Sequence, residues 1–412
     1  MATIRLDNFK SINNKAHLSK MPEGYLRECV NAMIDNSGMI TKREGVTEKD
    51  TGVFSCIWSD DLRCFAVRNG DLVEVIDNGG SYTFTTIRAS VGYVELAFTE
   101  CDGNYYYCGS SVTGSIIGTT HKTFGQAQVN VQPTLSNATN GTMPHGRYLV
   151  AVTTLDAAGI ESGTTTPTLV TLPEFDINGS PVGKQITITG GIFNSTDPRV
   201  VSVAIYCSVA NGQELFRVAV LPTGTGSYEI TAVNVNKFPL QTIGVSPAPF
   251  GSLIAYHYGH LYISNSNFLY YSDAWRYERW RPLNNYRFPT AITAIMPLES
   301  GIWISTLKDG LFFIGGKTPH QGLNVLGDMQ RFKKHSASIK RDSPKLVNAE
   351  FIGNGAPANG WLATATDGIF LLMDGGQFTI VSHAINMPEF STCTGTLIND
   401  TDSYKYLAIL HN

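Results

Sequence analysis

Six basic side chains fall between residues 329 and 345 against one acid: Arg331, Lys333, Lys334, Lys340, Arg341 and Lys345, with Asp342 among them. On a chain of formal net charge -4 this is the one local excess of positive charge. Such a run can neutralise phosphates without reading a base sequence, as on DNA passing through a channel. It can equally dock on an acidic protein surface, and it is also the ordinary make-up of a solvated loop. Glu95, Glu100 and Asp102 sit near one hairpin and would suit glycoside hydrolysis, which needs two carboxylates flanking the scissile bond. The sequence offers them no matching partner on another segment, and Asp102-Gly103 is explained by turn chemistry. His257 and His260 flank another corner without a third ligand at metal spacing, so they read as structural. Nucleophile elbows, phosphate-binding glycine loops and dinucleotide fingerprints are missing from the sequence, which counts against an enzyme. No catalytic, cofactor-binding or metal-binding residue is assigned.

The elements that carry these residues are legible from a repeat. Trp303-Ile-Ser-Thr-Leu-Lys-Asp-Gly-Leu-Phe-Phe-Ile314 matches Trp361-Leu-Ala-Thr-Ala-Thr-Asp-Gly-Ile-Phe-Leu-Leu372 without a gap. Each copy is an apolar run, an Asp-Gly corner and a second apolar run, the signature of a hairpin with a type I′ turn. Looser copies lie at Leu261–Tyr271 and Leu62–Val75. Trp303 and Trp361 are expected to pack between neighbouring units. Corners between first and second strands fall near Asp60, Asp102, Tyr258, Ser300, Pro357 and Asp400. With one interruption removed, most of them recur at about the 40–45 residues of a four-stranded blade, and six units are implied.

Composition agrees. The chain has 412 residues, 40 glycines and 16% charged residues, which fits a turn-rich β protein and excludes coiled-coil or disordered classes. Its seven cysteines (29, 56, 64, 101, 108, 207, 393) are scattered and lack metal spacing, as expected of small buried side chains. Met1–Asp7 has no apolar h-region and no stretch is long enough for a transmembrane helix, so neither secretion nor membrane insertion is expected.

Taken in order, residues 1–124 read as an N-terminal clasp and the first two blades, and residues 250–412 as the remaining blades. Residues 125–249 break the pattern: strands at 147–155, 186–189, 200–207, 215–221 and 228–231 suggest an inserted sandwich. The chain stops two strands into the sixth unit, and Thr3–Leu6 and Met39–Arg43 are expected to complete it, since ring closure removes sheet edges. The fold class expected is all-β: a propeller of about six blades closed by the N-terminal strands, carrying an inserted β-sandwich.

Three resemblances sharpen this. Tyr148…Asp156-Ala-Ala-Gly-Ile-Glu-Ser162 resembles the C strand and turn of a fibronectin type III or immunoglobulin-like module, and Val203–Ala219 is similar to the second sheet of phage versions of it. Tyr271–Trp280, with Arg276, Arg279 and Arg281 beside it, faintly resembles the Asp-box turn of sialidase-like propellers but lacks its glycine-containing loop; it reads as a packed corner or a contact loop. The opening, Asn8-Phe-Lys-Ser-Ile…Met21-Pro22-x-Gly24-x-x-Arg27-x-x-Val30-Asn31-Ala32-x-x-Asp35-x-x-Gly38-x-Ile40-x-x-Arg43-x-Gly45, resembles the start of β-propeller tail proteins of tailed bacteriophages, including nozzle-type, minor tail and baseplate proteins. This resemblance covers roughly 45 residues, and the chain is shorter than the nozzle proteins. It implies a non-enzymatic virion component made in the host cytoplasm, packed in a homo-oligomeric ring against other tail proteins, without cofactor. The alternative is a glycan-binding or glycan-hydrolysing propeller used in host recognition.

Overall fold

The computed structural model describes residues 10–28, 32–34, 39–42, 48–60, 62–126, 134–138, 141–164, 166–175, 178–180, 185–190, 195, 197, 199–319, 332–352, 358–382, 385–400 and 403–411. The chain is all-β, built mainly of four-stranded antiparallel sheets in the manner of a β-propeller. Five of these sheets, among the described residues, are meanders of consecutive strands. The first runs Phe54–Ser59, Cys64–Arg68, Asp71–Asp77 and Tyr82–Arg88. The second runs Ala97–Cys101, Asn104–Cys108, Thr113–Ile117 and Thr120–Lys122. The third is Leu253–His257, His260–Asn265, Phe268–Asp273 and Arg276–Arg287. The fourth is Ile292–Leu298, Gly301–Thr306, Gly310–Gly315 and Phe332–His335, and the fifth Lys345–Val347, Gly360–Ala365, Gly368–Leu372 and Phe378–Ile380. A sixth unit shows a hairpin, Thr392–Asp400 with Ser403–His411.

Alternation explains the outer strands and double burial the middle ones. Ile292–Leu298 buries every second residue, whereas Gly301–Thr306 is buried throughout because sheets cover both of its faces. Each pair of successive units shares one apolar cluster. Phe65, Val67, Phe98 and Tyr107 join the first and second units, and Tyr106, Cys108, Ile263 and Trp280 the second and third. Tyr262, Tyr271, Ile304 and Phe312 join the third and fourth; Trp303, Phe313, Ala363 and Phe370 the fourth and fifth. Trp303 donates its Nε1–H to Met373 O at 2.9 Å, and Trp361 returns a bond of 2.8 Å to Pro297 O. Both tryptophans therefore pack between units, as the repeat implied.

The repeated Asp-Gly corners have a different backbone from the one expected. Positive φ at both central residues is seen at Asn69-Gly70 (54° and 84°) and Asp102-Gly103 (53° and 74°). At the two Trp-containing hairpins only the glycines are left-handed, Gly310 at 88° and Gly368 at 150°. Gly310 and Gly368 are instead the first paired residues of the next strand, opposite Thr306 and Ala365. Gly310 is required for space as well: a Cβ there would stand 2.0 Å from His335 O.

The second and third units are neighbours although more than a hundred residues separate them in sequence. Phe124 and Ala248 lie side by side, with Ala248 N donating to Phe124 O at 3.0 Å. Between them, Thr134–Ala138, Gln185–Thr189 and Ser227–Ile230 form one sheet, and Thr168–Leu172, Gly146–Asp156, Val200–Ser208 and Leu215–Pro222 another. The two share a core of Tyr148, Val150, Val152, Ile186, Ile188, Val203, Ile205 and Ile230. Strands Thr134–Ala138 and Thr168–Leu172 were not anticipated from the sequence.

In the N-terminal segment, Ser11–Ile12 pairs in parallel with Tyr25–Leu26. Ile40–Lys42 pairs with Ala32–Ile34 rather than with the sixth-unit hairpin. The expected strand at residues 3–6 lies outside the described residues. Among the described residues no helix is long and apolar enough to cross a membrane.

Candidate functional site

The basic run does not form one loop. Arg331 lies outside the described residues. Lys333 and Lys334 belong to Phe332–His335, the fourth strand of the fourth unit, with Lys333 exposed. Lys345 opens the first strand of the fifth unit, where burial depresses its ammonium pKa. Between these two strands the chain crosses from the fourth unit to the fifth, and Lys340 and Arg341 lie on that crossing.

There the segment 339–343 is a hub. Ile339 N donates to Ser305 Oγ of the fourth unit at 2.8 Å, and Lys340 N to Thr364 O of the fifth at 2.9 Å. Lys340 Nζ reaches Ser391 O at 2.9 Å, with its ammonium 5.1 Å from the Phe390 ring. Gly395 N donates to Asp342 O at 3.0 Å, and Tyr406 OH to Ser343 O at 2.7 Å, so the sixth-unit hairpin is held too. Arg341 reaches in the other direction. Its Nη1 pairs with the Glu95 carboxylate ahead of the second unit, and its Nη2 donates to Ser252 O ahead of the third at 2.9 Å. One side chain at the entry to the fifth unit thus touches the segments leading into the first strands of the second and third units.

The electrostatics of this cluster are those of two carboxylates sharing one cation. Burial pushes the Glu95 carboxyl above the usual carboxylate range; Arg341 opposes the shift and the neighbouring Asp342 adds to it. Glu95 is thus ion-paired yet harder to ionise than a free glutamate. The two facts agree once burial and Asp342 together outweigh Arg341. Asp342 stands 3.7 Å from Arg341 Nε, too far for a hydrogen bond, and that nitrogen is buried without a partner among the described residues. No partner for Glu95 on another unit was legible in the sequence; the fold supplies Arg341 and Asp342.

The other candidates resolve differently. Glu100 caps its own corner, accepting from Gly103 N at 2.7 Å, and Asp102 accepts from Tyr277 OH at 3.1 Å. His257 and His260 face each other across a corner and are 5% and 7% exposed. Their rings bond to Leu298 O and Ser272 O, each at 2.8 Å. No group of three metal-ligating side chains occurs among the described residues. Arg281 pairs with Asp273 and bonds the backbone of Gln241 and Ile243, so it anchors the chain returning to the third unit. The described cysteines are free thiols, and burial pushes Cys101, Cys108 and Cys207 up to about 12. None has the low pKa of a reactive thiol.

No protein-family model and no curated protein matches the chain. Solved structures similar to it include the extracellular domain of the putative hybrid two-component system BT4673 from B. thetaiotaomicron. That match has 12% identity and a TM-score of 0.30, over 84% of this chain and 35% of the other. The Neurospora crassa Pan2 WD40 domain is similar at 9% identity and a TM-score of 0.32, over 87% and 89% of the two chains. BBS1N, solved in complex with ARL6DN, is similar at 9% identity and a TM-score of 0.30, over 86% and 92%. The chain spans about a third of the BT4673 extracellular domain and most of the other two. At these scores the fold rests on the strand order described above.

Proposed function

We propose that this chain is a non-enzymatic structural component of a bacteriophage tail, packed as a rotationally symmetric ring at the tip, baseplate or nozzle. The observation that carries this reading is the sixth unit, which shows two strands among the described residues, beside an apolar cleft of about 300 Å³ between it and the fifth. Phe351, Leu362, Ile369, Leu371, Val381 and Tyr406 line it. A hairpin edge without a partner among the described residues, next to an apolar cleft with Val381 exposed at its rim, is a surface suited to a neighbour. The N-terminal segment is our candidate for the missing edge strands. In support, the Asn14 side chain makes two hydrogen bonds to the Asn386 backbone, 2.6 and 3.1 Å, beside the last unit. The two sheets between residues 125 and 249 serve as an immunoglobulin- or fibronectin-like insert facing neighbouring tail proteins. The opening motif from Asn8 to Gly45 supports the tail assignment. Exposed Lys333 is left for contact with DNA or an acidic partner, whereas Arg341 is committed internally.

Mass photometry of the purified full chain tests this reading. It predicts discrete ring-sized species, and a strictly monomeric protein at micromolar concentration would contradict it.

A second, glycan-directed reading is favoured by Asp342 standing beside Glu95 from another unit, since hydrolysis needs carboxylates from two sides. Loss of a glycan-hydrolysing activity in Glu95→Gln and Asp342→Asn would establish it in place of the first.

A further inference from the structure

The opposite end of the units, where first strands turn into second strands, holds a different feature. Here the third unit uses Tyr258-Gly259 where the second uses Asp102-Gly103. Tyr258 has φ 40°, and Trp275, at the next corner on the same end, has φ 56°. Asp and Asn tolerate this left-handed region; for a bulky aromatic residue it is a genuine outlier. The two corners are fastened together: Trp275 N donates to Gly259 O at 2.8 Å, and a Cβ on Gly259 would stand 2.7 Å from the Trp275 indole. Two aromatic rings are therefore held in unfavourable backbone conformations, and Trp275 is still 66% exposed. Strain kept at such positions points to a task for the rings.

Beside them lies a cleft of about 340 Å³ between the third and fourth units, lined by Tyr256, His257, Tyr258, Pro297, Leu298 and Glu299. His257 is 5% exposed and binds Leu298 O through Nε2, while its Nδ1 has no partner among the described residues. With Nε2 donating, Nδ1 is an acceptor awaiting a donor. Glu299 adds an exposed carboxylate with Lys317 Nζ at 3.9 Å, and the same ammonium lies 4.9 Å from the Tyr258 ring. The lining thus offers apolar aromatic faces, one acid balanced by one base, and hydroxyl and imidazole groups.

We propose that this cleft binds a neutral saccharide. The flat C–H face of a sugar ring would lie against the electron-rich face of an aromatic ring, and its hydroxyls would meet the exposed Glu299 carboxylate at the rim. The balanced pair of Glu299 and Lys317 gives no excess positive charge to hold a phosphate. Its size is at the lower end of small-molecule sites, about 300–1,000 Å³. This site lies away from Glu95 and Asp342 and needs a single chain only, so it stands or falls independently of ring assembly.

The test is an array of neutral and acidic oligosaccharides probed with the full chain, followed by calorimetry on the best neutral binder. Tyr258→Asn suits the left-handed corner and should keep or raise the melting temperature while weakening binding at least tenfold. Glu299→Gln, at a side chain 69% exposed, should weaken binding at least tenfold with the melting temperature unchanged. Absence of binding to any neutral glycan, binding to acidic glycans alone, or wild-type affinity in both variants would overturn the proposal.

Discussion

Replacing Arg341 with Met keeps most of the aliphatic stem and removes the charge that links units two, three and five. Its side chain is 26% exposed and that of Glu95 48%, so the pair lies between a surface and a buried ion pair. Surface pairs contribute about 0–1 kcal/mol, and breaking a buried one costs about 3–5 kcal/mol. Discounting for exposure, and counting the lost bond to Ser252 O, the expected cost is about 2 kcal/mol near neutral pH. For a chain this long that is a drop of about 2–3 °C in melting temperature if it unfolds as one unit.

The pH dependence is the sharper part. Because the folded-state pKa of Glu95 is raised, the folded chain takes up a proton at a pH where the unfolded chain, near about 4.3, does not. Stability from this group is therefore fully present below the unfolded value and lost as pH rises through the folded one. Without Arg341 the folded-state pKa rises further, since Glu95 and Asp342 then face each other unneutralised. The destabilisation in Arg341→Met should shrink as pH is lowered from neutral through the folded-state pKa of Glu95 toward the unfolded value. Denaturant unfolding across that range measures it. A cost under about 0.5 kcal/mol, or one that does not change with pH, would refute the account of the hub.

Other substitutions test the remaining architecture. Trp303→Phe should cost about 1–2 kcal/mol by leaving Met373 O without its donor, and Trp303→Ala about 3–5 kcal/mol or more, both read from denaturant midpoints. Gly310→Ala should destabilise strongly, because its Cβ would clash with His335 O at 2.0 Å. Gly79→Ala, at φ 75° with nothing within 4 Å, should cost only about 1 kcal/mol of backbone preference. Val381→Lys, at a residue 47% exposed beside the fifth-unit cleft, should leave the far-UV spectrum unchanged and suppress oligomers in mass photometry.

The repeat was legible because blade strands alternate locally and their corners carry Gly, Asp and Asn; the corners near Asp60, Asp102, Tyr258 and Ser300 lie between first and second strands, Asp400 ends the first strand of the last hairpin, and Pro357 lies outside the described residues. What stayed hidden depends on long-range contact. Arg341 and Glu95 are 246 residues apart, and nothing in a basic run says that one member turns inward. The pairs Asp309-Gly310 and Asp367-Gly368 look like the Asn69-Gly70 turn in sequence. Their loops differ because the following strand pairs one residue earlier, a matter of register set by the sheet. Tyr258 left a trace that was missed: an aromatic residue before glycine, at a corner where its counterpart is Asp102, is a local rule broken. Between residues 125 and 249 the strongly alternating strands were visible, while Thr134–Ala138 carries a single large apolar residue and Thr168–Leu172, though bounded by Pro167 and Pro173, has only three apolar residues and a weak alternation.

The central claim is that this chain is a structural ring component of a phage tail. Cryo-electron microscopy of particles carrying the chain measures it most directly. The account predicts density for propeller-shaped subunits arranged with rotational symmetry about the tail axis, the sixth-unit edge covered. Particles lacking the chain, or a chain found only as a free monomer beside them, would contradict it.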